Sequence, residues 1–281
     1  MVVEMTKKIK VIKNENDNRL EKSEINQNKN TFKNLLDKYN NSQSTNKYIF
    51  DLQTLYLLRQ NRILDILNKR YQYDTSLKRG QEFLLNHINS KISLVVMYVD
   101  LVDSTEMSRD LPIDKLVTVI RVFTHEISSV IENYDGLILK YVGDGIISFF
   151  PSGFNKYLAC DKAVQCAKSM IDIIKNGINP ILSKCDYPTL SIKIGIDEGE
   201  NAIVQYGYDK SSLIDIVGYS MNIAAKITAL TNKNKISVGE DIYKLLHPTI
   251  QSEFHELILH ANEWKYTNRT TNKTYKIYTI H

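Results

Sequence analysis

Residues 139–150 read LKYVGDGIISFF, with Asp144 between Gly143 and Gly145 and runs of β-forming residues on both sides. Two apolar runs, LILKYV and IISFF, joined across this glycine-rich segment predict a β-hairpin with the carboxylate at its tip. A lysine, Lys140, stands four residues before the acid. The stretch therefore predicts an element of the fold and, at the same place, a candidate functional acid.

The hairpin lies within a regular alternation of strands and helices. KISLVVMYVD (residues 91–100) is a short apolar run typical of a buried strand, and a helix is predicted over residues 114–134. After the hairpin we predict a helix over residues 156–175, two strands (LSIKIGID and AIVQYG) and a helix over residues 220–230. The order β-α-β-β-α-β predicts an α+β fold, a ferredoxin-like βαββαβ sheet with flanking helices.

The N-terminal part differs in composition from the rest. Residues 1–46 are rich in Asn, Lys, Glu and Ser and lack Pro and Gly, so they bury too little apolar area to offset the entropy cost of ordering. Between Tyr48 and Tyr71, apolar residues recur near helical spacing, and a second helix is predicted over residues 75–89. We therefore predict a polar, disordered tail over 1–46, a helical extension over 47–91 and one catalytic domain over 92–281.

Charge and cysteine content argue against several classes of protein. The net charge of +4 is mild, so it does not indicate a nucleic-acid partner. Cys160, Cys166 and Cys185 form neither a CxxC pair nor an even disulfide set, which indicates a reducing compartment. The start lacks the apolar segment of a secretory signal, and the most apolar run, residues 94–99, is too short to span a bilayer. We expect a soluble, cytoplasmic protein.

Two acids at strand ends are candidates for metal binding. Asp100 directly follows an apolar run, and Asp144 stands at the hairpin tip. In a split βαβ sheet these strands are neighbours, so the two carboxylates can converge. Paired carboxylates suit hard cations such as Mg²⁺ or Mn²⁺. The alternative is that Asp100 caps the next turn and Asp144 satisfies a tight turn, where Asp is common.

Two polar segments could bind an anionic ligand. LVDSTEMS (residues 101–108) places Ser104 and Thr105 at the start of a predicted helical turn, where backbone N–H groups bind anions. In DIVGYSMNIAAKI (residues 215–227), Asn222 and Lys226 share one helix face, where an amide and an ammonium can hold a hydroxyl and a developing phosphate charge. A plain helix cap and an ordinary solvated face are the respective alternatives.

Two strand residues near the acids are also candidates. Tyr98 lies two residues before Asp100 and so on the same side of its strand. Lys140 is predicted on the strand face that alternates with Tyr141. A strand tyrosine is most often part of the core, and a strand lysine is most often at the surface.

Together, the order of these motifs resembles the catalytic domain of class III nucleotidyl cyclases over about residues 92–281. VMYVDLVDST resembles the first metal-binding motif of that family, LKYVGDGIISFF the hairpin with the second metal acid, and DIVGYSMNIAAKI the helix that contacts the ribose and the transition state. Three motifs in the right order are far more specific than any one alone.

The resemblance implies a role for each matching residue. Asp100 and Asp144 would bind two divalent ions, Mn²⁺ or Mg²⁺, with the carbonyl of Leu101 as a further ligand. Asn222 would orient the ribose. Lys226 stands where the family usually has a transition-state arginine, and an ammonium lacks the planar fork of a guanidinium. The remaining substrate-binding candidates are Lys140 and Asp215 at the base, Tyr98, Ser104, Thr105, and Lys265 as the nearest match to the triphosphate-binding lysine.

The resemblance also implies an assembly and a reaction. The metal acids of one chain would face the base, ribose and transition-state residues of another, in a homodimer with two composite sites. The ribose 3′-hydroxyl of a nucleoside triphosphate would attack the α-phosphorus and release pyrophosphate, giving a 3′,5′-cyclic nucleotide.

The wording of MYVDLVDST and IGIDEGENAIVQYG resembles most the bacterial pyrimidine cyclases of Pycsar antiphage systems. Those enzymes are soluble homodimers that make cyclic UMP or cyclic CMP after infection, and the product activates a separate effector, often a membrane protein. UTP is favoured over CTP here. Lys140 with Asp215 would instead indicate ATP under the family's purine rule, so an adenylate cyclase stays as an alternative.

Two further classes share parts of the pattern. A palm-type polymerase or cyclic dinucleotide synthase has a similar core and paired acids, but the hairpin tip here is VGDG and does not resemble GG[DE]EF. A catalytically inactive, nucleotide-binding regulator would normally have lost one metal acid, and both are present.

Overall fold

The computed structural model describes residues 52–67, 76–153, 155–207, 212–260 and 263–280. The chain divides into two compact units, Met1–Asp65 and Ile66–His281. Helix α1 (Leu52–Leu67) confirms the predicted helix in the extension, and the tail predicted over residues 1–46 lies outside the described residues. No helix in the described ranges is both long and apolar enough to cross a membrane.

The second unit contains the predicted alternation of helices and strands. Its helices are α2 (Ser76–Leu85), α3 (Ser104–Asp110), α4 (Ile113–Asn133), α5 (Lys156–Asp172), α6 (Asn179–Lys184), α7 (Tyr219–Leu230), α8 (Glu240–Tyr243) and α9 (Pro248–Gln251), with a π-helical turn at Ile173–Ile178. Its strands are β1 (Lys91–Leu101), β2 (Leu137–Val142), β3 (Gly145–Pro151), β4 (Ile192–Tyr206), β5 (Leu213–Gly218), β6 (Ile236–Gly239), β7 (Phe254–Glu256) and β8 (Ile277–Ile280).

The strands form one sheet in the order β2-β3-β1-β4-β6-β8-β7, and β5 pairs with β4. Within it, β2-β3-β1-β4 are antiparallel neighbours, as in a ferredoxin-like βαββαβ core. The predicted fold class is confirmed. The prediction of two separate strands, LSIKIGID and AIVQYG, is wrong, because β4 is one strand of 15 residues. The four intervening residues, 198–201, stay paired with β1.

Helix boundaries follow the predictions with two differences. Helix α2 ends at Leu85, four residues before the predicted end. The helix predicted over residues 156–175 is α-helical only to Asp172 and continues as the π-helical turn. Pro180 follows this turn, and since proline has no N–H it cannot donate the regular bond to the carbonyl four residues earlier.

Side chains of β1 alternate between the two faces of the sheet. Leu94 and Val96 pack in a core cluster that includes Leu84 of α2, Ile216 of β5 and Ala224 of α7. Helices α2 and α7 therefore pack on the same face of the sheet, and Ile216 of β5 contributes to the core on that face. Asp100 has the same parity along β1 as Leu94 and Val96, so this face also carries the first predicted metal acid.

Helix α7 approaches β4 closely at two glycines. A β-carbon built at Gly195 would come within 2.5 Å of the Thr228 nitrogen and 2.6 Å of the Ala224 carbonyl oxygen. At Gly199 it would lie 3.3 Å from the Ser220 β-carbon. Ser220, Ala224 and Thr228 are spaced by four residues and form one face of the helix. The close packing of α7 on β4 therefore requires a glycine at position 195.

We expect Gly195→Ala to lower the free energy of unfolding by about 1–3 kcal/mol, because the added methyl group overlaps the backbone of α7. Urea denaturation of the purified variant measures this. Gly153→Ala is the matched control, since a β-carbon there meets nothing within 4 Å, and its effect should stay within about 0.5 kcal/mol. Equal stability of the two variants would show that α7 is not held this close to β4.

Candidate active site

Strands β1 and β3 bring the two predicted metal acids to adjacent positions. The register pairs Val99 with Ile146, so Asp100 comes next to Gly145, the residue that follows Asp144. A β-carbon built at Gly145 would lie 3.6 Å from Asp100 Oδ1. The Asp100 carboxylate therefore lies beside the hairpin tip, and both acids are half-buried.

The hairpin turn needs no hydrogen bond from its acid. Val142 pairs with Gly145, so only Gly143 and Asp144 form the loop. Gly143 adopts φ 61°, a conformation that glycine reaches without steric cost. Asp144 has no hydrogen-bond or ion-pair partner among the described residues. Its carboxylate does not serve the turn and is available to a ligand.

Asp100 has a cationic neighbour that the sequence interpretation missed. Lys193 of β4 lies directly across from Asp100 in the register, and its Nζ is 3.0 Å from Asp100 Oδ2. The residue before helix α3 is Asp103, which makes no side-chain cap, so Asp100 does not act as the cap. A cation here offsets the repulsion between two adjacent carboxylates. Its only signal in the sequence is a single lysine within the largely apolar run LSIKIGI.

Lys140 and Asp215 contact each other. Lys140 Nζ donates to Asp215 Oδ2 at 2.5 Å, and the Ile216 N–H donates to Asp215 Oδ1 at 2.9 Å. The neighbouring Tyr141 points to the other face, where its hydroxyl bonds with that of Ser128 at 2.8 Å. Strands β2 and β5, distant in sequence, thus present one donor and one acceptor side by side.

Tyr98 lies close enough to Asp215 for its charge to act on the tyrosine hydroxyl, and it lines the same cavity as Asp100. Burial raises the pKa of its hydroxyl, and the negative charge of Asp215 raises it further. Tyr98 therefore stays protonated at neutral pH and can donate a hydrogen bond. Since it precedes Asp100 by two residues, it shares a strand face with that acid.

A cavity of about 250 Å³ opens beside these residues. Tyr98, Asp100 and Lys193 line one side of it, and Ala225 and Thr228 of α7 line the other. The volume is just below the range of small-molecule sites, about 300–1,000 Å³. One chain therefore offers room for part of a nucleotide next to both a carboxylate and an ammonium.

Asn222 and Lys226 lie on the exposed face of α7. A neighbouring face of the helix carries Ile223 and Ile227, which pack in a core cluster with Trp264. Within the ranges that the structure describes, neither Asn222 nor Lys226 has a hydrogen-bond or ion-pair partner. The structure does not join them to the acids of the same chain, and they remain accessible to a ligand or to a second chain.

The other four predicted site residues lie at the end of β1, at the start of α3 and beside Trp264. Leu101 ends β1 with its side chain buried. Ser104 begins α3, and the next residue, Thr105, is exposed. Lys265 is exposed, next to the buried Trp264, and forms no ion pair with a described residue. A role for these four residues stays a prediction.

The chain is similar to nucleotide cyclases, both as a family and as individual relatives. The family model "Adenylate and Guanylate cyclase catalytic domain" matches residues 87–279. A cytidylate cyclase of Escherichia coli is 25% identical over 166 residues, which cover 56% of this chain and 36% of that protein. A uridylate cyclase of Burkholderia cepacia is 26% identical over 180 residues, which cover 62% of this chain and 76% of that protein.

Solved structures give the same fold. The crystal structure of the guanylyl cyclase Cya2 superposes with a TM-score of 0.58 at 19% sequence identity, over 68% of this chain and 93% of that chain. An identity this low shows the fold alone. The match spans little more than a third of the Escherichia coli cytidylate cyclase. The rest of that protein lies outside the matched segment.

Proposed function

The chain belongs to the adenylate and guanylate cyclase catalytic domain family, and on this premise we propose that it is a pyrimidine nucleotide cyclase that converts UTP to 3′,5′-cyclic UMP and pyrophosphate. The observation that carries the proposal is the adjacency of Asp100 and Asp144 at the hairpin tip. Two carboxylates at the end of a sheet, beside a cavity, are suited to a metal-dependent reaction on a triphosphate.

The donor set fits a hard divalent cation, Mg²⁺ or Mn²⁺. Carboxylate oxygens are the preferred ligands of such ions, and Asp144 has no competing partner among the described residues. Asp100, Asp144 and the Leu101 carbonyl would hold two ions. When bound, the ions would neutralise charge on the triphosphate and lower the pKa of the ribose 3′-hydroxyl. Lys193 would add a fixed positive charge at the same edge.

Residues of the chain itself would position the substrate. Asn222 would hold the ribose, and Lys226 would stabilise the charge that develops on the α-phosphate. The 3′-oxygen would lose its proton to solvent and form a bond to the α-phosphorus, while the bond from that phosphorus to the bridging oxygen breaks and pyrophosphate leaves. Ser104 and Thr105, through backbone N–H groups, and Lys265 are proposed to contact the phosphates.

The site would be completed by a second copy of the chain. Strand β5 exposes Leu213 and Val217 on either side of Asp215, and Tyr206 of β4 is also exposed. Within the described residues β5 pairs only with β4, so an open edge and an apolar surface lie together. A homodimer formed here would bring the Lys140–Asp215 pair and α7 of one chain to the acids of the other, giving two sites.

The base would be read by the Lys140–Asp215 pair. Uracil offers an acceptor oxygen beside its ring N–H, and cytosine a ring acceptor beside its amino donor, so the pair fits both pyrimidines in opposite order. UTP is placed first because the uridylate cyclase is matched over most of its length. CTP is second because a cytidylate cyclase is also a relative, and ATP is third.

We propose that the product is a second messenger for a separate effector protein in antiphage defence.

The proposal is tested by incubating the purified protein with Mn²⁺ and each of ATP, GTP, CTP and UTP, and identifying products by mass. Cyclic UMP should be the main product, by about tenfold or more over cyclic CMP, because a pair held in the order that suits uracil leaves cytosine with a mismatched hydrogen bond, which is costly in a polar pocket. Predominant cyclic CMP or cyclic AMP would reassign the base and leave the reaction class standing. A folded dimer that cyclises none of the four nucleotides would contradict the proposed function.

A further inference from the structure

A buried acid lies beneath helix α7. Asp197 of β4 is completely inaccessible to solvent, and it stands between Gly195 and Gly199, the two glycines against which α7 packs. Alternation along the strand puts all three on the same sheet face. A β-carbon at Gly239 of β6 would overlap the Asp197 carboxyl. An acid enclosed between a helix and a sheet needs an explanation, since burial of a charge is costly.

Tyr275 is the partner of this acid. Its hydroxyl donates to Asp197 Oδ1 at 2.8 Å and accepts a bond from the Asp241 N–H at 3.2 Å. Asp197 Oδ2 has no hydrogen-bond partner in the described part of the chain. Burial raises the pKa of the Asp197 carboxyl well above its ordinary value, although the bond from Tyr275 lowers it. Burial therefore favours the neutral form of the acid, and its Oδ1 acts as an acceptor for Tyr275.

Tyr275 also packs against α7. Its ring belongs to the cluster that contains Ile223 and Ile227, the residues that flank Asn222 and Lys226 in the sequence. It meets the ring of Tyr219, the first residue of α7, edge-on at a centroid distance of 6.1 Å. Tyr275 thus links Asp197 to the helix.

The segment that leads to Tyr275, residues 264–275, makes two more contacts with the start of α7. The Tyr219 hydroxyl donates to the Thr267 carbonyl at 2.7 Å, and the Arg269 guanidinium lies 4.2 Å from the centre of the Tyr219 ring. Such a cation–π contact adds modestly to packing. The segment is itself fixed by the bond from Trp264 Nε1 to the Tyr275 carbonyl, at 2.7 Å.

We propose that Asp197 and Tyr275 form a positioning pair. The pair fixes α7 on the sheet and thereby sets the position of Asn222 and Lys226 in the composite site. The proposal rests on the proposed function, since the position of these two residues matters through cyclisation. Neither member of the pair is a catalytic residue, because both are buried and act through the helix.

Three variants separate the parts of this proposal. Tyr275→Phe keeps the ring and removes the hydroxyl, so kcat should fall by about 10- to 100-fold, as expected when a catalytic group is misplaced by about an ångström. The KM for UTP should change by less than about threefold, because loss of an interaction made only in the transition state lowers kcat and kcat/KM equally. Asp197→Ala should behave in the same way. Asp197→Asn keeps an uncharged acceptor oxygen of similar shape and should retain kcat within about threefold.

Loss of folded protein would also lower an apparent kcat, so rates must be divided by the number of working sites. Binding of 3′-deoxy-UTP, which lacks the attacking hydroxyl, counts those sites. Tyr278→Phe is the matched control: Tyr278 lies on β8 and stacks on Tyr243 at 3.6 Å, away from Asp197, and its variant should keep wild-type kcat. Retention of per-site kcat by Tyr275→Phe, or equal losses in Asp197→Asn and Asp197→Ala, would overturn the proposal.

A second measurement does not need the reaction. Amide hydrogen exchange within Tyr219–Leu230 should become faster in Tyr275→Phe and stay unchanged in Tyr278→Phe, because only the former loosens α7. Unchanged exchange in both variants would overturn the positioning role. Faster exchange in a protein that forms no cyclic nucleotide would remove the proposed function and leave the pair as an anchor of α7, so the two failures are distinguishable.

Discussion

Asp144→Asn is expected to lower cyclic nucleotide formation by about 1,000-fold or more, because a bound metal ion contributes several kcal/mol to transition-state stabilisation. The substitution keeps the size of the side chain and removes its charge. Since Asp144 makes no hydrogen bond or ion pair with a described residue and the positive φ of the turn falls on Gly143, the unfolding temperature should not change. Asp100→Asn should act in the same direction, although it also deprives Lys193 of its partner.

Asp186→Asn is the control for Asp144→Asn. Asp186 is an exposed acid with φ 57° that pairs with Lys115 at 3.2 Å, and asparagine adopts this conformation as readily as aspartate. Steady-state rates with UTP and Mn²⁺, and thermal unfolding of all the proteins, make the comparison. Wild-type turnover in Asp144→Asn would refute the assignment of that acid to a metal, regardless of the rate measured for Asp186→Asn.

Mixing two inactive variants is expected to restore activity. In a composite site the acids come from one chain and α7 from the other, so Asp144→Asn and Asn222→Ala damage opposite halves. Random assortment makes half of the dimers mixed, and each mixed dimer has one intact site, so about a quarter of wild-type turnover should return. Each variant alone should retain well under about a hundredth of it, because orientation of the ribose is also required.

The control mixture combines Asp144→Asn with Asp100→Ala. Both changes lie in the same half of the site, so every site in every dimer is defective and no activity should return. Native mass spectrometry verifies that mixed dimers form. Mixed dimers of Asp144→Asn and Asn222→Ala that stay inactive would show that the acids and α7 do not meet across two chains.

The sequence was sufficient for those parts of the fold that depend on local patterns. The hairpin at residues 139–150 and the antiparallel core follow from apolar runs and turn residues. The same reasoning failed at Gly199, Glu200 and Asn201, which look like a turn but continue β4. Their pairing with β1, about 100 residues away in the sequence, overrides local preference. The predicted end of α5 failed for a related reason, since the π-helical turn depends on the residues that follow.

The candidate site could also be predicted in part from the sequence. Asp100 and Asp144 follow strands that the topology makes neighbours, so their adjacency could be inferred before the register was known. Lys193 could not be found in this way, because its position beside Asp100 depends on the register of β1 with β4. The Asp197–Tyr275 bond joins residues 78 positions apart, and an acid within a strand reads as an exposed position unless its partner is known.

Crystals grown with Mn²⁺ and 3′-deoxy-UTP would test most directly whether Asp100 and Asp144 act together. Anomalous scattering locates manganese without reference to the protein coordinates. The account predicts two manganese peaks at bonding distance from the Asp100 and Asp144 carboxylates, with the nucleotide phosphates beside them and α7 of a second chain opposite. Nucleotide bound with manganese at other residues, or with either acid directed away from the metal, would contradict it.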